Sequence, residues 1–190
     1  MEKEIKIAQT SFPRSGSTIL CNVLYGLFSP SLPVIFSSRP NRNRLIYKSH
    51  MPKDRLNLSV LDNEEYDIFM IMSERDRKYP DEFRSHEKVL IFPYEDLVAK
   101  DQYCPHSEHS LEWVVSNIYE KSISFLPSCL FTRKSEMIKN ALRRINDMNK
   151  LHEEIKDKPF TFRDEFYHLH GSHRGMYHFI LDSVSNQTKL

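Results

Sequence analysis

A short polar loop between a strand-like and a helix-like segment constrains the fold of this chain more than any other feature. Apolar and polar residues alternate over 5–11, which is typical of a β-strand. The apolar residues beyond the loop recur at helical spacing: Leu20, Val23, Leu24 and Leu27. The loop contains one of only four glycines in the chain. A strand, a glycine loop and a helix in this order present backbone N–H groups and a positive helix end to a phosphate.

The loop residues suit an oxyanion but do not form a Walker A motif. Arg14 contributes a planar fork of N–H donors, which matches the geometry of a phosphate or sulfate. The second glycine and the Gly-Lys pair of the nucleotide triphosphatase loop are absent from the sequence. The alternative interpretation is an ordinary strand-to-helix turn in which Ser15 or Ser17 caps the helix.

Five segments, in the same order along the chain, resemble segments of the sulfotransferases that use PAPS (3′-phosphoadenosine 5′-phosphosulfate). Residues 13–18, Pro-Arg-Ser-Gly-Ser-Thr, resemble the loop that binds the 5′-phosphosulfate. Residues 47–52, Tyr-Lys-Ser-His-Met-Pro, resemble the segment with the catalytic histidine. Residues 68–76 resemble the strand that ends in an arginine for the 3′-phosphate, 94–97 match the family's Tyr-Glu-Asp-Leu, and 173–175 resemble the segment that closes over the 3′-phosphate. The first two matches are the specific ones.

The resemblance implies sulfuryl transfer, in which an acceptor hydroxyl or amine attacks sulfur in line and the phosphate oxygen leaves. It assigns His50 as the base and Arg14, with Lys48 as its helper, as the cations that stabilise the leaving oxygen. PAPS is then the co-substrate and PAP the product, and no metal is expected. The 5′-phosphosulfate would be held by Arg14 together with four loop residues: Ser15, Gly16, Ser17 and Thr18. The alternative for His50 is a strand-end histidine that only hydrogen-bonds a backbone carbonyl.

The resemblance also implies a 3′-phosphate site, whose candidates are Arg75 and Ser85 together with Arg174 and Gly175. Here the chain departs from the family. Relatives carry a serine eight positions after the arginine, whereas Ser85 comes two positions later than that. The segment between the arginine and Tyr94 is also shorter than in relatives, which indicates that a pair of helices is deleted.

Several alternatives remain for this second phosphate site. Arg75 could instead form a surface ion pair with Glu74 or Asp76, and Arg77 is then the candidate in its place. The alternative for Arg174 and Gly175 is a turn at the start of a helix. Ile19 stands where many relatives carry the tryptophan that stacks on adenine, and Phe12 or another aromatic residue could substitute.

Composition predicts one domain over residues 1–190, because 190 residues that are 39% hydrophobic can bury one sizeable core. No apolar run approaches the length of a membrane span, and Met-Glu-Lys-Glu at the start is unlike a secretory signal. Cys21, Cys104 and Cys129 are widely spaced, which predicts reduced thiols in a cytoplasmic protein.

The charge of the chain is unevenly distributed. Residues 1–55 contain nine lysines and arginines against three acidic residues, although the whole chain has a net charge of only +1. This excess predicts a basic pocket for a compact polyanion around the loop and the Lys48–His50 segment. Nucleic-acid binding through the basic run 39–44 is the alternative, but that run lacks interleaved aromatic residues and is better interpreted as a solvated loop.

The alternation of elements predicts an α/β fold with a parallel β-sheet flanked by helices, a P-loop-like sulfotransferase architecture and a helical C-terminal half. Strands are expected near 5–11, 33–37, 44–49, 67–73 and 88–93, and the first helix over 18–28. Two later helices are marked by apolar faces, one over 111–125 and one over 137–155. Arg14, His50 and Arg75 each follow a predicted strand, so one edge of the sheet would collect them.

Clustered histidines raise the alternative of a metal site. His168, His170, His173 and His178 form one set, and Cys104, His106 and His109 form another. Neither set has the spacing of a structural zinc site, so we assign them to the acceptor pocket or to packing. Trp113 is expected in the core.

Two further function classes remain open from the sequence. A nucleotide-kinase-like phosphotransferase shares the strand–loop–helix core but needs a Gly-Lys-Ser/Thr and a magnesium-binding aspartate. A degenerate, non-catalytic member could bind PAPS or another nucleotide without turnover. The acceptor is expected to be a small molecule, a carbohydrate or a lipid, with no nucleic acid and no membrane span, and the sequence leaves the oligomeric state open.

Overall fold

A computed structural model describes residues 3–12, 15–30, 35–36, 40, 42–50, 58–100, 107–155, 168–169 and 179–182. The elements in chain order are β1 (Glu4–Ser11), α1 (Ser17–Phe28), β2 (Ile35–Phe36), β3 (Ile46–His50), β4 (Tyr66–Glu74), α2 (Asp81–Arg84), β5 (Val89–Pro93), α3 (Leu111–Ile123), α4 (Lys134–Ile155), β6 (His168–Leu169) and β7 (Phe179–Asp182). Short 3-10 helices occupy Leu58–Leu61, Tyr94–Leu97 and Ser128–Leu130. The predicted α/β fold is confirmed.

Four parallel strands in the order β5–β4–β1–β3 form the sheet, and the short strands β2, β7 and β6 continue it beyond β3. β1 is central, and from its third residue onward it is buried or nearly so on both faces, as expected for a parallel strand. The chain leaves β1 toward β2 and β3 on one side and then crosses to β4 on the other. Such a reversal opens a crevice at the carboxyl end of the central strand.

Two apolar clusters cover the two faces of the sheet. On one face Ile7, Ile46 and Ile71 pack under α1, α3 and α4. On the other face Ala8, Tyr47, Met70 and Met72 pack with residues of α2 and of the 3-10 helix Leu58–Leu61. Residues 17–27 of α1 are all buried, because this helix lies between the sheet and α4. The expectation of a sheet covered on both sides is confirmed.

The C-terminal half is helical in part. α3 and α4 confirm the two predicted helices, and α4 ends at Ile155. β6 and β7 are two short strands of this half that the sequence analysis did not predict. β7 adds to the sheet beside β2, and this pairing supplies backbone partners that local periodicity does not reveal. Among the described residues, no helix combines the length and the hydropathy that crossing a bilayer would require.

Candidate functional site

The loop after β1 turns into α1 through Gly16, whose backbone is left-handed, with φ of 83° and ψ of 11°. A Cβ atom on Gly16 would lie 3.1 Å from Cδ1 of Leu97 and 3.1 Å from Cδ2 of Tyr94. Glycine is therefore required both by the backbone conformation and by the close approach of the 3-10 helix Tyr94–Leu97. The Tyr-Glu-Asp-Leu segment, 94–97, thus packs directly against the loop.

The first turn of α1 is uncapped. No side chain caps it, and the turn contains no acidic residue. Among the described residues, no hydrogen bond uses the backbone N–H groups of Ser15, Gly16, Ser17 or Thr18. The alternative interpretation, in which Ser15 or Ser17 caps α1, is therefore wrong. The positive helix end and its N–H groups are left available to an anion.

The hydroxyl groups beneath the loop form a buried network. The Ser15 hydroxyl donates to the Phe12 carbonyl over 2.7 Å, and its Oγ is 2.9 Å from the Oγ of Ser73 at the end of β4. The Ser73 Oγ is 3.0 Å from the Oγ of Ser11, which also accepts from the Gln9 amide over 2.9 Å. These hydrogen-bond contacts connect the loop to the ends of β1 and β4.

Lys48 of β3 is completely buried on the α1 face of the sheet and donates from Nζ to the Thr18 Oγ1 over 3.0 Å. The predicted cation therefore contacts the predicted loop. Burial lowers the pKa of Lys48 from 10.5 to about 8, and the neighbouring Cys21 thiol partly opposes this shift. Burial likewise raises the pKa of Cys21 to about 11. At neutral pH Lys48 is therefore mostly protonated, and it loses its charge at a lower pH than an exposed lysine.

The backbone register brings His50 to the same edge as the loop. His50 is the last residue of β3, and its Cα pairs with that of Ser11, the last residue of β1. Neighbouring strands are about 4.8 Å apart, so the backbones of the two motifs are adjacent. Arg14, three residues beyond Ser11, lies outside the described residues.

Arg75, directly after β4, is half-exposed and stacks on an aromatic ring. Its Cζ is 4.5 Å from the centroid of the Tyr94 ring, and its Nε is 3.8 Å from the Oδ1 of Asp76. Glu74 is instead buried between Arg84 and Lys78, with which it forms ion pairs. Of the two alternative ion pairs proposed for Arg75, only the one with Asp76 is present. It is long and exposed to solvent, and such a pair contributes little to stability.

Ser85 ends the four-residue helix α2, where its hydroxyl donates to the Asp81 carbonyl over 2.9 Å. The Ser85 side chain is exposed, and Phe83, two residues earlier, is fully buried. In the segment between Arg75 and β5, α2 is the only helix.

Several predicted site residues lie outside the described residues: Arg14, Arg174, Gly175, Cys104, His106, His170, His173 and His178. His168 is placed in β6 by its backbone. Within the described part of the chain, no three side chains of His, Cys, Asp or Glu come together as a metal site would require.

The residues considered for stacking on adenine are buried, and Trp113 is not placed as predicted. Phe12 is buried, with Tyr79 stacked on one side at 4.6 Å and Arg77 at 4.5 Å from its centroid, so its ring is already in contact with two groups. Ile19 belongs to the apolar core. The prediction that Trp113 lies in the core is wrong, since it is 40% exposed and stacks in parallel on His109.

The basic residues of the N-terminal part divide between two edges of the sheet. Arg42 lies in the turn before β3, where its carbonyl accepts from Nζ of Lys6 over 3.3 Å. This turn is at the amino end of β3, whereas Lys48 is the third of its five residues and His50 is the last. Arg42 therefore lies at the opposite edge from the loop, whereas Arg14, Arg39, Lys53 and Arg55 lie outside the described residues, and the basic pocket stays a prediction.

Sequence reasoning missed Ser73 and Tyr79, which hold the loop. Ser73 lies near the end of β4, within the segment 68–76, of which only the arginine was assigned a role; Tyr79 follows β4 and belongs to none of the five segments. The tertiary contacts alone identify them, because their partners are about 60 residues earlier in the chain.

Comparisons of the chain with protein-family models, with curated proteins and with solved structures each give no match. The class of protein that the fold defines is therefore an α/β protein with a central parallel sheet and an uncapped helix N-terminus at its carboxyl edge.

Proposed function

We propose that the chain is a sulfotransferase that moves a sulfuryl group from PAPS to a hydroxyl or amine acceptor. The observation that carries the proposal is the contact between Lys48 and Thr18 at the uncapped start of α1. A buried cation beside unpaired backbone N–H groups is suited to an anion that bears several negative oxygens. The second support is the register that brings His50 next to the end of β1.

In this proposal the loop binds the 5′-phosphosulfate, and the chemistry occurs between it and His50. The N–H groups of residues 15–18 and Lys48 hold the bridging and terminal oxygens, and Arg14 stabilises the charge that develops on the leaving oxygen. His50 accepts the proton of the acceptor as its oxygen or nitrogen attacks sulfur. Arg75 or Arg77, together with Ser85, Arg174 and Gly175, would contact the 3′-phosphate.

The kinase-like alternative has less support. It needs a carboxylate that can bind magnesium near the loop. Glu74 is the acidic residue at the end of β4, and its two carboxylate oxygens are engaged by Arg84 and Lys78. A sulfotransferase needs no such carboxylate, because PAPS is held by cations and N–H groups.

The decisive experiment is transfer of labelled sulfate from PAPS to a panel of sugars, lipids, phenols and amines. We expect magnesium-independent binding of PAP, no binding of ATP, and transfer to at least one acceptor class. Arg14→Ala and His50→Ala should abolish transfer, and His50→Ala should retain PAP binding. Arg133→Ala, an exposed arginine ahead of α4, is the matched control. Failure of PAP to bind would refute the proposal, and binding without transfer would identify a non-catalytic member.

A further inference from the structure

Tyr79 occupies a junction between the loop and the end of β4. It is 3% exposed, its hydroxyl accepts from the Phe12 N–H over 3.0 Å, and it donates to the Ser73 carbonyl over 3.1 Å. A phenol has one O–H to donate, and here the group both donates and accepts. Burial raises the pKa of Tyr79 to about 12, so it remains a neutral donor at physiological pH.

The ring of Tyr79 adds a second connection. It stacks in parallel on Phe12, with centroids 4.6 Å apart, and Arg77 lies over Phe12 at 4.5 Å. The first residue of the loop is thus joined to the segment 73–79 by a hydrogen bond, a ring stack and a cation–π contact. The Ser15–Ser73 hydroxyl pair joins the same two segments.

We propose that Tyr79 is a positioning residue that sets the distance between the anion-binding loop and the arginines that follow β4. This inference rests on the proposed function, in which the loop binds the 5′-phosphate group and those arginines bind the 3′-phosphate. A ligand with two phosphates gains affinity only when both subsites are already held at its own spacing. A ligand with one phosphate is indifferent to that spacing.

Tyr79→Phe keeps the ring stack and removes only the bridging hydroxyl. We expect it to weaken PAP binding by about threefold to tenfold, the effect of one net hydrogen bond. It should leave the affinity for adenosine 5′-phosphate, which lacks the 3′-phosphate, unchanged. Tyr119→Phe, a change at a buried tyrosine of α3, is the matched control and should alter neither affinity.

Calorimetric titration of both nucleotides separates positioning from a general loss of structure. Equal weakening of both ligands, or no weakening of either, overturns the inference. Ser73→Ala, which removes the hydroxyl contact with Ser15 and keeps the carbonyl, is the second variant and should show the same selectivity for PAP.

If the wild-type chain binds neither nucleotide, the proposed function fails, and amide hydrogen exchange then decides the inference about Tyr79. Tyr79→Phe should speed exchange in both segments, 9–20 and 70–80, relative to Tyr119→Phe. Exchange that is unchanged in either segment contradicts the coupling.

Discussion

Lys48 is a fully buried cation whose pKa of about 8 lies below the ordinary value of 10.5. The unfolded chain therefore binds more protons than the folded chain between these two pH values. Below pH 8 the folded protein bears the cost of burying the charge, and the cost disappears as the lysine deprotonates.

Stability should consequently rise between pH 8 and 10.5 in the wild type relative to Lys48→Met. The free energy of unfolding should increase over this pH range by at most about 1.4 kcal/mol for each unit by which the pKa is lowered. Urea unfolding at pH 7.5 and at pH 10 measures it. A difference between the two proteins that does not vary with pH would contradict the lowered pKa.

Anion binding should have the opposite dependence on pH. Only the protonated lysine attracts an anion, so PAP affinity should fall as pH rises above 8, by at most about tenfold per pH unit. Titrations between pH 7 and 10 test this expectation. Lys48→Met should bind weakly at every pH with a flatter profile, and an equally steep decline in that variant would assign the dependence to another group.

Gly16 combines a left-handed backbone with a crowded Cβ position. Gly16→Ala should destabilise the protein by about 1–2 kcal/mol, the cost of the left-handed conformation for an L-residue. It should also weaken PAP binding, because relief of the contacts with Tyr94 and Leu97 turns the loop N–H groups. Thermal unfolding and PAP titration measure the two effects. An alanine variant with wild-type stability and affinity would contradict the strained geometry.

At the scale of elements, α1 and α4 cross with almost no space between their backbones. A Cβ on Gly26 would lie 2.4 Å from the Cα of Ala141 and 3.0 Å from its Cβ. Atoms of the backbone cannot move aside as the end of a flexible side chain can, so the two helices must separate to admit a methyl group.

Gly26→Ala should therefore destabilise the fold by about 1–3 kcal/mol, although alanine is the better helix former. Chemical denaturation measures the change. Lys139→Ala, on the exposed surface of α4, is the control and should change stability by less than about 0.5 kcal/mol. A neutral or stabilising effect of Gly26→Ala would contradict the close packing of α1 against α4.

At the scale of the whole molecule, Arg42 and the edge beside the loop lie at opposite ends of β3. Five residues of strand span about 16 Å, which is twice the screening length at physiological salt. Arg42 at the amino edge therefore contributes little to the potential at the loop, despite belonging to the same basic stretch of sequence.

Arg42→Ala should accordingly leave PAP affinity within about twofold of the wild type at physiological salt. Lys48→Met, which removes one charge at the loop, should weaken binding strongly in the same buffer. Parallel titrations compare the two. A comparable loss in both variants would indicate a diffuse electrostatic effect instead of a local one.

Local pattern was sufficient for most of the elements. Alternation in β1, helical spacing in α1 and the buried runs of β4 and β5 are properties of neighbouring residues, and the predicted segments match the described ones within a few residues. The sequence also predicted that the loop and Arg75 directly follow strands, and they follow β1 and β4. Trp113 shows the limit, because an amphipathic pattern does not say how much of each helix face is covered.

Sequence by itself determined the order of strands and helices and the position of the loop, since these depend on side chains a few residues apart. Only the tertiary structure decided what the loop contacts. Lys48, Ser73 and Tyr79 reach it from 30 to 67 residues away, and Arg42 is carried to the opposite edge. Strand pairing sets these distances, and strand pairing is a long-range property that local periodicity does not encode.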